Sequence, residues 1–371
     1  MEKEQAEANF QEWLKKVVEV GASDIHLKTG IPPVVRFNDE LRLLSRTLAP
    51  LTSEDIRTIC KVIVPDRLKG DFNAGREIDM AYSLSGVGRF RLNLFRHRGQ
   101  IGVVGRLIPF EIKSLDELGL PEILKKLGTL PRGLVLVTGT AGSGKSTTLA
   151  ALLNEWNQTR SGHIITIEDP IEYLIRDRKA IITQREVGLD TDSFSSGLRS
   201  ALRQDPDVIM IGEMRDQETI KTALNAAETG HLVVSTLHTK DALETVNRII
   251  GVFDGEMQQQ IRFQLSGALA AVISQRLVQK TNSNDAGGTT VVTEVMVNTA
   301  RIQDCLRDPK RIEEIRDAID QGAEYGMHSF DQSLMSLLEK GVITRDIAMR
   351  NASNPINFEL RLRGIRQSHE R

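Results

Sequence analysis

"GLVLVTGTAGSGKSTTLAALLNEW", residues 133–156, is the stretch from which the rest of the chain is read. Residues 133–138 are an unbroken apolar, valine-rich run, the kind that makes a strand covered on both faces. Residues 145–156 place Leu149, Leu152, Leu153 and Trp156 at helical spacing. Between the two, Gly139, Thr140, Ala141, Gly142, Ser143, Gly144, Lys145, Ser146 and Thr147 satisfy the frame G-x-x-x-x-G-K-[ST]. A loop joining a buried strand to a helix N-terminus aims backbone N–H groups and the positive end of a helix dipole at one spot. That suits the β and γ groups of a triphosphate. Lys145 would bridge those phosphates, and Ser146 would offer its hydroxyl to Mg²⁺. A chance glycine turn is the bland alternative, and the ordered succession of strand, loop, Lys-Ser and helix weighs against it.

Composition narrows the function classes. The length of 371 residues suggests two to three domains. Lys and Arg total 48 against 50 Asp and Glu, a net charge of −2, so no global field draws the chain to nucleic acid. Aromatic residues are only 4% of the chain, too few for readout by base stacking. Cys60 and Cys305 stand far apart, which excludes a four-cysteine zinc site and fits a reducing compartment. No apolar run approaches the roughly 20 residues that span a bilayer. The expectation is a cytoplasmic protein with no direct membrane insertion, reaching any membrane through a partner.

Three regions follow from the patterning: residues 1–108, a connection at 109–121, and 122–371. In the first, "NFQEWLKKVVEVGAS" puts Phe10, Trp13, Leu14, Val17 and Val18 on one helical face, with Gly21 placed to end the helix. Extended pieces "PPVVRFN" and "LRLLS" flank a turn at Asn38-Asp39. Residues 75–108 read as a meander with a tight turn at Ser85-Gly86-Val87-Gly88. This is a small α+β domain. "PFEIKSLDELGLP" reads as a linker with one helical turn, punctuated by Pro109 and Pro121. Thereafter the strands "GLVLVT", "HIITIED", "VIMIGEM" and "HLVVSTL" alternate with helical sequence, which argues a parallel sheet covered by helices. Beyond about residue 256 the chain reads as mostly helical, broken by the polar loop "TNSNDAGGTT" and the strand "VVTEVMV".

Ligands of open α/β sheets sit beyond the carboxyl ends of the strands. Glu168, Asp169 and Glu172 follow one such strand and would face the same crevice as the loop, where a carboxylate orients water or holds Mg²⁺ through water. Equally, Asp169-Pro170 is a turn starter. Glu213 ends the strand 208–211 and is the candidate metal-side or water-side carboxylate. His231 and His238 bracket another buried strand. A lone histidine is more often structural, but this pair raises the prospect that His238 senses the γ-phosphate. The strand "RFRLNLFRHRG" alternates Phe90, Leu92 and Leu94 with Arg89 and Arg91, and Arg96 crowds its end. It is read either as a solvated strand edge or as a source of arginines for a neighbouring subunit's nucleotide.

"GASDIHLKTGIPP", the glycine loop, "ITIEDPIEY", "ITQREVGLD", "SGLRSALRQDPDVIMIGEMRDQETI", "AAETGHLVVSTLHT" and "GMHSFDQSL" together resemble the type IV pilus retraction ATPases of the secretion-ATPase superfamily. The resemblance covers roughly residues 10–365. It implies an α/β fold: a RecA-like P-loop ATPase domain preceded by a small α+β, PAS-like N-terminal domain. It also implies a homo-hexameric, ATP-hydrolysing ring at the inner-membrane face of the pilus machine, with an inner-membrane platform protein and a second retraction ATPase as partners. Nucleotide would lie between the two domains, with arginines contributed across the subunit interface. By position, Glu172 resembles the family's catalytic glutamate and Glu213 its second acidic-box glutamate. His231 and His238 match a histidine box, and Arg248 an arginine near it. The family's motif resembling AIRNLIRE stands here as "RIQDCLRD", 301–308, with Gln303 replacing the inner basic residue. Within the class the alternative is an accessory retraction ATPase. Outside it stand a ring that binds ATP only as a switch and, less favoured, a nucleic-acid motor.

Overall fold

A computed structural model describes residues 2–37, 40–108, 111–281 and 288–364. The expected turn at Asn38-Asp39, the punctuating Pro109 and residues 282–287 of the polar loop lie outside the described residues. The chain divides into two compact units, Met1–Glu111 with Glu172–Leu174, and Ile112–Ile171 with Ile175–Arg371.

The first unit is built on an antiparallel sheet of β1 (Asp24–Leu27), β2 (Val34–Phe37), β3 (Glu40–Leu43), β4 (Ile78–Leu84), β5 (Gly88–His97) and β6 (Gln100–Ile108). Their order is β3-β2-β1-β6-β5-β4. The helix Lys3–Glu19 buries Phe10, Trp13, Leu14 and Val17, while Val18 is only partly covered. Gly21 follows the helix in the left-handed region (φ 67°), where a side chain would be strained. A capping box of Thr52 and Asp55 starts the helix Ser53–Ile63, which lays Ile56, Ile59 and Ile63 on the same core. The basic strand is not an edge. β5 is paired along its length by β4 on one side and β6 on the other, so its arginines project from a sheet interior and not from an open ladder.

The second unit carries β7 (Gly133–Thr138), β8 (Gly162–Glu168), β9 (Ala180–Glu186), β10 (Val208–Ile211), β11 (Leu232–Leu237), β12 (Leu269–Gln279) and β13 (Thr289–Val297) in the order β13-β12-β7-β11-β10-β8-β9. All neighbours are parallel except the β12–β13 pair. The continuous apolar runs have a simple cause. Leu134 and Leu136 enter one core and Val135 and Val137 another, because alternate side chains leave opposite faces and both faces are covered. This is the helix-covered parallel sheet expected of a RecA-like domain.

The region after residue 256 is mostly helical, as expected, but it holds a strand that the expectation did not include: β12, 11 residues long, lies between β7 and the edge strand β13. The helix Gly255–Ala268 passes directly into it, with Leu269 already extended (φ −62°, ψ 130°); Gly267 lies inside the helix and no proline marks the change. An alanine-rich apolar run has no period that separates buried helix from buried strand.

Candidate functional site

β7, β8, β10 and β11 run parallel, so their carboxyl ends lie along one rim of the sheet. The loop 139–147 leaves that rim from β7. Gly139, Gly142 and Gly144 have φ of 147°, 77° and 88°, which side chains rarely tolerate. Gly144 stands immediately before the helix Lys145–Thr159. Thr140, Ala141 and Gly142 are exposed, Ser143 and Lys145 are buried, and Ser146 and Thr147 lie half-buried in the first turn. The Lys145 ammonium donates to the carbonyls of Gly139 (2.9 Å) and Thr140 (3.0 Å), which holds its charge against the loop.

Two neighbouring rim positions converge there. Glu213 follows β10 and accepts from Arg215 Nε at 2.7 Å, with His238 Nε2 at 3.7 Å. His238 follows β11. Its pKa is lowered from the usual imidazole value, first by desolvation and then by the charge of Lys145; Glu213 opposes the shift and Arg215 adds to it. The ring is therefore neutral near pH 7, able to donate from one nitrogen and accept at the other. Beneath the rim a chain of buried hydroxyls ties three elements together. Thr138 donates to Ser274 (2.9 Å), Thr245 donates to Thr138 (3.5 Å), and Thr239 and Thr245 meet at 2.6 Å.

Other candidates lie elsewhere. His231 precedes β11, and its Nδ1 and N–H both meet the Ala226 carbonyl, at 3.0 and 3.1 Å. Its own carbonyl accepts from Gly133 at the start of β7, so it sits at the opposite end of the sheet from the loop. The six residues of β11 separate it from His238, roughly 20 Å. The structure does not bring the two histidines together. Arg248 is exposed in the last turn of the helix Ala242–Gly251. Glu168 does not present an open carboxylate: it is 7% exposed and accepts from Thr166 Oγ1 (2.6 Å) and Gln184 Nε2 (2.9 Å). Glu172 is exposed and groups with the first unit. In that unit Arg89 is half-buried, Arg91 lies 4.0 Å from Asp79, and the exposed Arg96 lies beside Gly75.

Sequence reasoning overlooked Arg215, the hydroxyl chain and Gln275. The last donates Nε2 to the Ser143 carbonyl at 2.7 Å. The available signal was a polar pair, Ser274-Gln275, inside the otherwise apolar "AAVISQRLV". A pocket of about 370 Å³ opens on this side of the loop, with hydroxyls from Thr147, Thr148 and Thr290 and apolar walls from Leu118, Leu277 and Val291.

Glu294 completes the polar layer. Paired with Ser274 across β12–β13, it accepts the Ala242 amide at 2.8 Å, and its pKa is pushed up from 4.5 to about 7, chiefly by burial. A folded-state value above the unfolded one gives stability that is complete below about 4.5 and is lost as pH rises through about 7. Glu294→Gln keeps an acceptor for the amide and removes the titration. It should gain on the wild type progressively between about pH 5 and 8, reaching about 3 kcal/mol, read as the difference in urea unfolding across pH. Parallel pH profiles for the two proteins would contradict the assignment.

A glycine loop at the rim of a parallel sheet, with lysine, carboxylate and neutral histidine gathered beside it, defines a P-loop nucleotide-binding protein. Residues 2–332 match the model of the type II/IV secretion system protein family, and the chain belongs to that family. Among its relatives is the type IV pilus retraction ATPase PilT of Pseudomonas aeruginosa, 44% identical over 338 residues, which are 91% of this chain and 96% of the relative. The type IV pilus ATPase PilU of the same organism is 41% identical over 95% of this chain and 91% of its own. The crystal structure of the pilus retraction motor PilT with bound ADP superposes with a TM-score of 0.85 at 40% identity, covering 94% of this chain and 98% of that one.

Proposed function

We propose that this chain is the ATP-hydrolysing subunit of a motor that retracts a type IV pilus. The observation that carries the reading is the convergence of Lys145, Glu213 and His238 on the loop at the strand carboxyl ends. The likeness to PilT over nearly the whole chain supports it. Lys145 and the loop amides hold the β and γ phosphates, and the pocket beside Thr147 and Leu277 suits ribose hydroxyls and an apolar base face. Mg²⁺ fits the donors present, since it binds through one or two protein oxygens plus phosphate and water, and Ser146 and Glu213 supply hard oxygens. Among the described residues no cluster of three or more His, Cys, Asp or Glu could hold a metal ion by itself. Bound there with nucleotide, the ion would neutralise charge developing on the phosphate oxygens.

Glu172 acts as general base toward the attacking water, Glu213 orients that water or the ion, and His238 reads the γ-phosphate. Arg248 is the candidate arginine that serves the nucleotide with His238, while His231 has a structural role at the far end of β11. Arg89, Arg91 and Arg96 are the candidate cations contributed to a neighbour's nucleotide. The working assembly is a homo-hexamer at the inner-membrane face, acting on a platform protein. Residues 1–108 and 122–371 serve as its two working domains and 109–121 as the linker. No helix among the described residues is long and apolar enough to cross a membrane, so attachment through a partner fits. An accessory retraction ATPase working beside a second one is the other reading, favoured by the likeness to PilU.

Purified protein with ATP and Mg²⁺ should release phosphate in steady state, and cells lacking the gene should accumulate surface pili and lose surface movement. Nucleotide binding without turnover would support the switch reading instead. Loss of movement only when a second ATPase is also absent would support the accessory one.

A further inference from the structure

We propose that Gln275 is a positioning residue for the phosphate loop, one that fixes the direction of a loop amide; the inference rests on the nucleotide reading above. The sheet register puts it in place. β12 pairs with β7 as far as Ser274 opposite Thr138, so the next residue of β12 lies alongside the first residue of the loop. The two backbones touch there: a Cβ on Gly139 would come 2.4 Å from the Gln275 carbonyl oxygen. The side chain, 1% exposed, then passes beneath the loop and donates Nε2 to the Ser143 carbonyl at 2.7 Å. A Cβ on Gly144 would lie 3.2 Å from the same nitrogen. Since a carbonyl only accepts, its partner fixes which end of the amide faces the loop.

A trans, planar peptide carries its C=O and N–H on opposite sides. Holding the Ser143 carbonyl against Gln275 therefore turns the Gly144 N–H away from β12, toward the open side of the loop. Outward amides at a helix N-terminus are what grip phosphate oxygens. Without the donor, a buried carbonyl loses its partner and nothing holds that peptide plane. The glutamine is also kept at some cost, because Oε1 of Gln275 and Oγ of Ser143 are buried without a hydrogen-bond partner among the described residues. An apolar side chain of the same volume would avoid half of that burden, so a purely core role does not account for an amide here.

The test is Gln275→Met, which keeps volume and removes the donor. Affinities for Mg·ADP and for pyrophosphate are measured by calorimetry, together with the thermal midpoint. Both affinities should fall by roughly tenfold, because pyrophosphate engages the loop and not the neighbouring pocket. Weaker ADP binding with unchanged pyrophosphate would place Gln275 in the pocket wall and overturn the proposal, as would wild-type affinity for both. Should the methionine variant not fold, Gln275→Leu is the second substitute without a donor, with the same result expected. Failure of both to fold would make the residue a core element and overturn the proposal too. If wild-type protein binds neither probe, the nucleotide reading falls and this inference with it.

Discussion

Lys145→Ala should lower steady-state phosphate release by about 100- to 1,000-fold, the usual cost of deleting one preorganised charge from a phosphate site. The fold should survive. Lys145 belongs to the first turn of its helix, and its ammonium is spent on the Gly139 and Thr140 carbonyls at the rim, not on either core of the sheet. Circular dichroism and the thermal midpoint should therefore stay close to wild type while ATP turnover is lost. A second readout comes from His238. The lysine charge helps depress the imidazole pKa, so the alanine variant should raise it, visible as a shift in the histidine NMR titration. Wild-type turnover in this variant would refute the assignment of the loop.

Glu172→Gln should bind nucleotide normally and hydrolyse it about 100- to 10,000-fold more slowly, since an amide holds geometry but takes no proton. Glu213→Gln should act differently. It weakens the 2.7 Å ion pair with Arg215 and removes the charge that raises the His238 pKa, so that imidazole should titrate lower still. Its hydrolysis defect should ease at raised Mg²⁺ if the carboxylate serves the ion. Loss of turnover in Glu213→Gln with no effect of Glu172→Gln would reverse the division of roles.

How much of this could be read from the letters depends on the residue. The glycine loop was legible because φ constraints, the helix start and the flanking buried strand are all local, and each leaves a mark within a few residues. Glu213 and His238 were legible through topology, since both follow buried parallel strands and such strands end on a common rim. His231 was not: as a neighbour of the same motif it looks equivalent to His238, yet six buried strand residues carry it to the other end of the sheet. Gln275 was not legible either, because its strand is continuous with a helix in an apolar run whose period does not change and whose one glycine, Gly267, lies inside the helix. Of the two readings of the basic strand the solvated edge fails, because alternation reveals which face a side chain takes and nothing about what pairs with the backbone.

The loop and the strand beneath it are far apart in the chain: 132 residues separate Ser143 from its hydrogen-bond partner Gln275. On a ribosome adding about 5–20 residues per second, the glycine loop is made roughly 7 to 26 seconds before its support. A nascent chain that ends before residue 269 has β7, β8, β10 and β11 available but lacks the strand that lies under the loop. Nucleotide is thus a late ligand in the life of each molecule, stabilising the chain only after the β12–β13 hairpin has docked, and a prematurely terminated product is a folding liability before it is an idle enzyme.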